Sequence, residues 1–190
     1  IAAVEASSSV TLEGVIDFLW RRGTIVLPLA DPGGFHGAFW KIDGRDVIVL
    51  KQGHRSRERW LFDLLHECRH SVQASGMADT SFLDGEEQFV DSGDEFEQDA
   101  NEFAGAVALA GRAEELVQKA VVKASGKMPW LKRATREVAE EAGVNVGVLA
   151  NYLAWRLSLQ GENWWATAIA LEGTERDAFE VARAALLHHV

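Results

Sequence analysis

Apolar residues at Leu12, Val15, Ile16 and Leu19 recur at helical spacing, so the ordered part of the chain opens with an amphipathic helix. Thr11 stands at the capping position and Gly23 where the helix must stop. Residues 1–9 are small and polar and read as a frayed lead-in. Residues 24–29 then form an apolar, β-branched run that reads as a strand, which Pro28 confines to a sheet edge or a strand end. After the turn at residues 31–34, residues 36–42 and 45–50 read as two strands joined by Asp43-Gly44, a strong hairpin signal.

From there the period changes to that of helices. Ser56 is a plausible cap for a helix running to about Ser75, where Gly76 ends it. Residues 76–93 read as a long acidic connection, either a lid or simply a path between helices. A second helix follows from about 93 to 110, broken by Gly111, and a third from 113 to 125. Residues 133–157 read as two helices around Gly143-Val144-Asn145, with a helix–turn–helix look. Acidic Glu137, Glu140 and Glu141 beside that turn favour a packed helical subdomain over DNA contact. Trp155, Trp164 and Trp165 suggest a packing seam, to another element or to a second subunit. Residues 174–189 form a last amphipathic helix, and His188-His189 at its end read as surface residues. The pattern predicts an α+β fold: mostly helical, with a small antiparallel three-stranded sheet and a C-terminal helical bundle. Residues 1–110 would form the core domain and 111–190 a helical part packed on it.

Candidate chemistry sits on the helix that follows the hairpin. It carries His66-Glu67-x-x-His70. At about 100° per residue the two histidines lie one turn apart on one face, so both imidazoles can reach one ion. Glu67 lies about 100° round from His66 and can flank the ion as a general base without binding it. Leu64, Leu65 and Cys68 suit the buried face. A zinc site needs a third protein ligand. Glu97, on the next helical pattern, can supply a carboxylate oxygen. Asn101, four residues on and on the same face, can accept a hydrogen bond from the far nitrogen of a ligand histidine. The cofactor expected is Zn2+.

The composition fits one soluble enzyme. A chain of 190 residues can bury a core, and none of its apolar runs spans a bilayer. The formal net charge of −10 argues against general nucleic-acid binding. A single cysteine excludes an internal disulfide and fits the cytoplasm. The start at Ile1 lacks the basic residues of a secretory leader, and the missing Met leads us to expect a trimmed or partial chain. His36, Trp40 and His54 are candidates for lining a cleft, although each residue type is more often structural. An edge of the hairpin could take an extended peptide as an added strand.

Taken in order, Gly44-Arg-Asp-Val-Ile-Val-Leu50, the His-Glu-x-x-His helix and Glu97-x-x-Ala-Asn-x-Phe-Ala104 resemble the ImmA/IrrE family of zinc metallopeptidases over roughly residues 10–110. The resemblance implies a compact thermolysin-like, zincin-like catalytic fold. It implies His66, His70 and Glu97 as zinc ligands and Glu67 as the base. It also implies a protein substrate, a repressor with a DNA-binding domain. Arg69 departs from the family, which often has a small or aliphatic residue there. It is a candidate substrate contact, but pairing with a nearby acid is the reading we favour. Two functions are therefore expected in turn: a zinc endopeptidase cutting a regulatory protein, or a non-proteolytic sensor module that binds a protein or DNA.

Overall fold

The computed structural model describes residues 10–30, 37–51, 53, 55–76, 80–84, 95–173 and 177–189. The fold is mixed α and β, with eight helices and a four-stranded sheet among the described residues. His36 and His54, both expected near a cleft, lie outside them, as does most of the acidic connection at 76–93.

Helix α1 (Leu12–Arg21) buries Leu12, Val15, Ile16 and Leu19, the four positions its spacing marks. Thr11 Oγ1 accepts from Gly14 N at 3.2 Å. Gly23, at φ 86°, then turns the chain into β1 (Ile25–Pro28). Strands β2 (Gly37–Ile42) and β3 (Arg45–Leu50) form the expected hairpin. Asp43 and Gly44 both take positive φ, 50° and 74°, which matches the right-handed twist of the two strands.

The sheet differs from expectation in two ways. It has four strands rather than three, in the order β1-β3-β2-β4, and it is mixed rather than antiparallel. Strand β4 (Thr80–Asp84) pairs antiparallel with β2, within the stretch expected to be only a connection. With that side of β2 occupied, β1 lies on the far side of β3 and runs parallel to it. Pro28 is accordingly on an edge strand, as its missing N–H demands. The hairpin itself is interior, so the sheet edges belong to β1 and β4.

Alternation sorts the sheet residues between two faces. Val26, Phe39, Ile48 and Leu50 join the main core, whereas Ala38, Val47 and Val49 cluster with Ile25, Leu27 and Trp40. Helix α2 (Arg57–Gln73) packs on the first of these faces, against β2 and β3. Trp60, Leu61, Phe62, Leu64 and Leu65 anchor it there. Its start is fixed by Ser56, whose Oγ accepts from Arg59 N at 3.0 Å. Arg57 ties this end to two other elements, bonding Glu13 Oε1 at 2.5 Å and gripping both carboxylate oxygens of Asp177 at 2.7 and 2.8 Å. Ser56 is buried, so Ser56→Ala should cost about 1 kcal/mol and lower the melting temperature by about 2–4 °C. A thermal melt followed by circular dichroism checks this.

The remaining helices are α3 (Glu95–Ala108), α4 (Ala113–Lys123), α5 (Met128–Ala142), α6 (Val146–Ser158), α7 (Trp165–Ile169) and α8 (Ala178–His189). One hydrophobic cluster runs from Leu12 to Ala182 through both halves of the chain. The helix–turn–helix look has a structural origin. Gly143 closes α5 in the left-handed region, and Asn145 Oδ1 caps α6 by accepting from Gly147 N and Val148 N. Every residue of α6 from Gly147 to Trp155 is buried. It is the central core helix, with no face to lay in a DNA groove. Three of the basic side chains between residues 119 and 133, ahead of it in the chain, pair with nearby acids. Lys119 pairs with Glu115, Lys123 with Glu137 and Glu141, and Arg133 with Glu137. At the C-terminal end His189 stacks on Trp20, their ring centroids 5.1 Å apart, rather than standing clear of the surface. Among the described residues no helix is long and apolar enough to cross a membrane.

Candidate metal centre

His66 projects from the middle of α2, His70 from its last turn, and Glu97 from the first turn of α3, which packs directly against it. That packing has a local cause. A Cβ on Gly105 would come within 2.1 Å of the Tyr152 ring, so only glycine lets α3 seat against α6. Tyr152 itself is committed to Glu114, donating its hydroxyl to Oε1 at 2.5 Å. Burial, then that carboxylate, raises its pKa well above the ordinary phenol range.

The three side chains converge. His66 Nε2 and His70 Nε2 are 3.0 Å apart. Glu97 Oε2 is 3.1 Å from His66 Nε2, and Glu97 Oε1 is 3.3 Å from His70 Nε2. A tetrahedral zinc with bonds of about 2.0–2.1 Å holds neighbouring donors about 3.3 Å apart. The donor set is two imidazole nitrogens and a carboxylate, and its spacings already approximate one face of such a tetrahedron. These atoms are the donors of a candidate metal site. Both histidines are buried and Glu97 is half-buried. Burial alone would raise the Glu97 carboxyl, but hydrogen bonds to His66 and His70, with their charge, hold it well below the usual carboxylate range.

Glu67 is fully buried and stands outside the ligand cluster, as its place on the helix predicts. It lies against the first residue of β2. A Cβ on Gly37 would sit 2.2 Å from Glu67 Oε1. Gly37→Ala should therefore displace that carboxylate and destabilise the fold by about 1–3 kcal/mol through overpacking, leaving the three ligand side chains in place. Denaturant unfolding, paired with a zinc titration, checks both halves of this. Behind Glu67, Cys68 is inert. Burial first, and the Glu67 charge second, push its thiol up to about 12.

Asn101 does not do what its position suggests. It is buried, but its Nδ2 donates to Glu97 O of its own helix at 2.8 Å, and its Oδ1 receives no hydrogen bond from the described residues. The far nitrogen of His70 goes to Gln73 instead: Nδ1 and Gln73 Oε1 are 2.7 Å apart. Arg69 takes the pairing role rather than facing a substrate. Its Nε and Nη2 donate to the two oxygens of Asp99 at 2.6 and 3.1 Å, and its guanidinium lies 5.7 Å from the Phe103 ring centroid. The Arg69 bonds hold Asp99 below the ordinary carboxylate range. Trp40 belongs to the small cluster on the sheet face away from α2, so it does not line the centre. Sequence reasoning missed Gln73, Asp99 and Gly37. Only Gln73 carried a usable signal, standing three residues after His70 and hence on the same helical face.

No protein-family model matches the chain, and the curated proteins compared with it include no match.

Proposed function

We propose that the chain is a zinc-dependent endopeptidase of the His-Glu-x-x-His type that cuts a regulatory protein, in the manner of the ImmA/IrrE family its motifs resemble. The observation that carries this reading is the convergence of two imidazole nitrogens and one carboxylate from separate helices, with Glu67 next to His66 in sequence and outside the donor set. Two histidines and a carboxylate make three protein ligands, the number of a catalytic zinc site rather than the four of a closed structural one. A purely structural site would have no use for the base.

Held by His66, His70 and Glu97, a zinc ion would supply Lewis acidity and lower the pKa of water toward about 7. Glu67 takes the proton released as water attacks the scissile carbonyl, and returns it to the departing amine. Burial of His66, His70 and Glu67 keeps bulk water from competing for that proton. The substrate would lie along β4, an edge strand that pairs with β2, the strand holding Gly37 against Glu67. Main-chain hydrogen bonds to such an edge hold a peptide extended regardless of its sequence. Specificity for one regulatory protein, a DNA-binding repressor on the family resemblance, must then come from side-chain contacts beyond the strand.

The test has two steps. Zinc content and stoichiometry are measured on the purified chain, with one ion per chain expected. Proteins held by the Glu67→Gln variant are then offered to the wild-type chain, and the products are read by mass spectrometry. Zinc binding with no cleavage of any retained protein would instead favour the non-proteolytic sensor.

A further inference from the structure

Glu58 is buried where the first turns of α1, α2 and α6 come together, and only half of its carboxylate is used. It stands in the first turn of α2, where the positive end of the helix favours an acid. Its Oε1 accepts from Asn145 Nδ2 and from Gly173 N, both at 3.2 Å. Two glycines make room for it. A Cβ on Gly147 would come within 2.9 Å of Glu58 Cγ, and one on Gly173 within 3.0 Å of Oε1. These contacts tie α2 to α6, and they explain one oxygen. The other, Oε2, is buried and accepts from nothing among the described residues. The guanidinium next to it in sequence, that of Arg57, is turned to Glu13 and Asp177 instead. A carboxylate that is only 9% exposed and has no cation beside it is costly to keep unless something pairs with it.

Glu58 lines a cavity of about 400 Å³, within the range of small-molecule sites. Val10, Leu12, Leu61 and Val148 give the cavity apolar walls, and Glu13, Arg57 and Glu58 give it charge. The Arg57 charge is already shared between Glu13 and Asp177, so the charge left over is negative. No group of three metal-binding side chains forms around Glu58 among the described residues, so the missing partner is not a metal ion held in the usual way. We propose that this cavity binds a small primary amine: an organic ammonium ion that donates to Glu58 and lays a short apolar body against the four aliphatic side chains. The last torsion of a glutamate is soft, so the carboxylate can turn its unused oxygen to that donor. The site is distinct from the metal centre, since Glu58 precedes His66 by eight residues, about 12 Å along α2. It depends on neither the zinc nor the peptidase reading.

The probe is 2-phenylethylammonium, and the control is 2-phenylethanol, a neutral molecule of nearly the same shape. Both are titrated into the full chain while the leucine and valine methyl resonances are followed by NMR. We expect saturable shifts at Leu12, Leu61 and Val148, with the amine bound about 10–100-fold more tightly than the alcohol, the scale of a hydrogen bond to a charged group. Glu58→Gln keeps an oxygen for Asn145 and Gly173 but removes the charge, and should bring the amine down to the affinity of the alcohol. Val10→Trp narrows the cavity from a half-buried position and should weaken both ligands. Equal affinity of amine and alcohol for wild type overturns the proposal and leaves Oε2 to ordinary water. So do shifts that never saturate or that fall on other methyls, a folded Glu58→Gln with wild-type affinity for the amine, and a Val10→Trp that binds both ligands unchanged. Should Glu58→Gln fail to fold, the ratio of amine to alcohol in wild type and the Val10→Trp result still decide.

Discussion

Glu97→Ala should weaken zinc binding by roughly a hundredfold to a thousandfold while leaving the fold intact. A four-ligand zinc site is worth about 10–16 kcal/mol, so each ligand carries about 2.5–4 kcal/mol, or two to three powers of ten. Glu97 is the ligand to remove because it is the most exposed of the three and lies in the first turn of α3. Removing it leaves no cavity in the core, unlike a change at His70, which is wholly buried. The substitution also takes away the only acid in the cluster, so His66 and His70 lose their shared hydrogen-bond acceptor. Competition with a chelator of known affinity measures the change, and the melting curve of the metal-free protein confirms that it reports on the site. An affinity within about threefold of wild type would mean that Glu97 is no ligand, and the centre would have to be rebuilt from other residues.

How much of this was legible beforehand depended on whether the signal was local. The α1 stripe, the Asp43-Gly44 turn and the Ser56 cap each lie within a few residues of sequence, and each stands where the pattern put it. The spacing of His66 and His70 is likewise a property of one helix. The convergence of Glu97 on them is long-range, and it was expected only because a third ligand was needed and the motif order suggested one. Strand β4 escaped because Thr-Ser-Phe-Leu is a short β-prone run inside an acidic stretch, and its pairing partner lies some forty residues earlier. The direction of β1 depended on it, since an occupied edge on β2 is what sends β1 beside β3. The burial of α6 was legible in principle. Val146–Ser158 is apolar nearly all round, the mark of an enclosed helix rather than a DNA-reading one. Gln73 stands where Asn101 was expected, because both lie on helix faces that could reach a histidine and helix spacing alone does not say which arm is long enough.

Glu67→Gln should abolish peptide hydrolysis to within detection, by about 10²–10⁴-fold, with zinc affinity nearly unchanged. Glutamine has almost the shape of glutamate, so the close fit against Gly37 survives. It has no basic oxygen, so the proton of the attacking water has nowhere to go. Because Glu67 is outside the ligand cluster, the metal should not register the change beyond the loss of one nearby charge. This pairing of outcomes distinguishes a base from a ligand. A ligand variant loses metal and activity together, whereas a base variant loses activity alone. The same variant tests the fold argument from the other side. If Gly37 exists to admit the Glu67 carboxylate, the amide should be tolerated without loss of stability, while a larger residue at 37 should not be. Hydrolysis by Glu67→Gln at the wild-type rate would remove the base from the mechanism and leave the three-ligand site as a sensor or docking element.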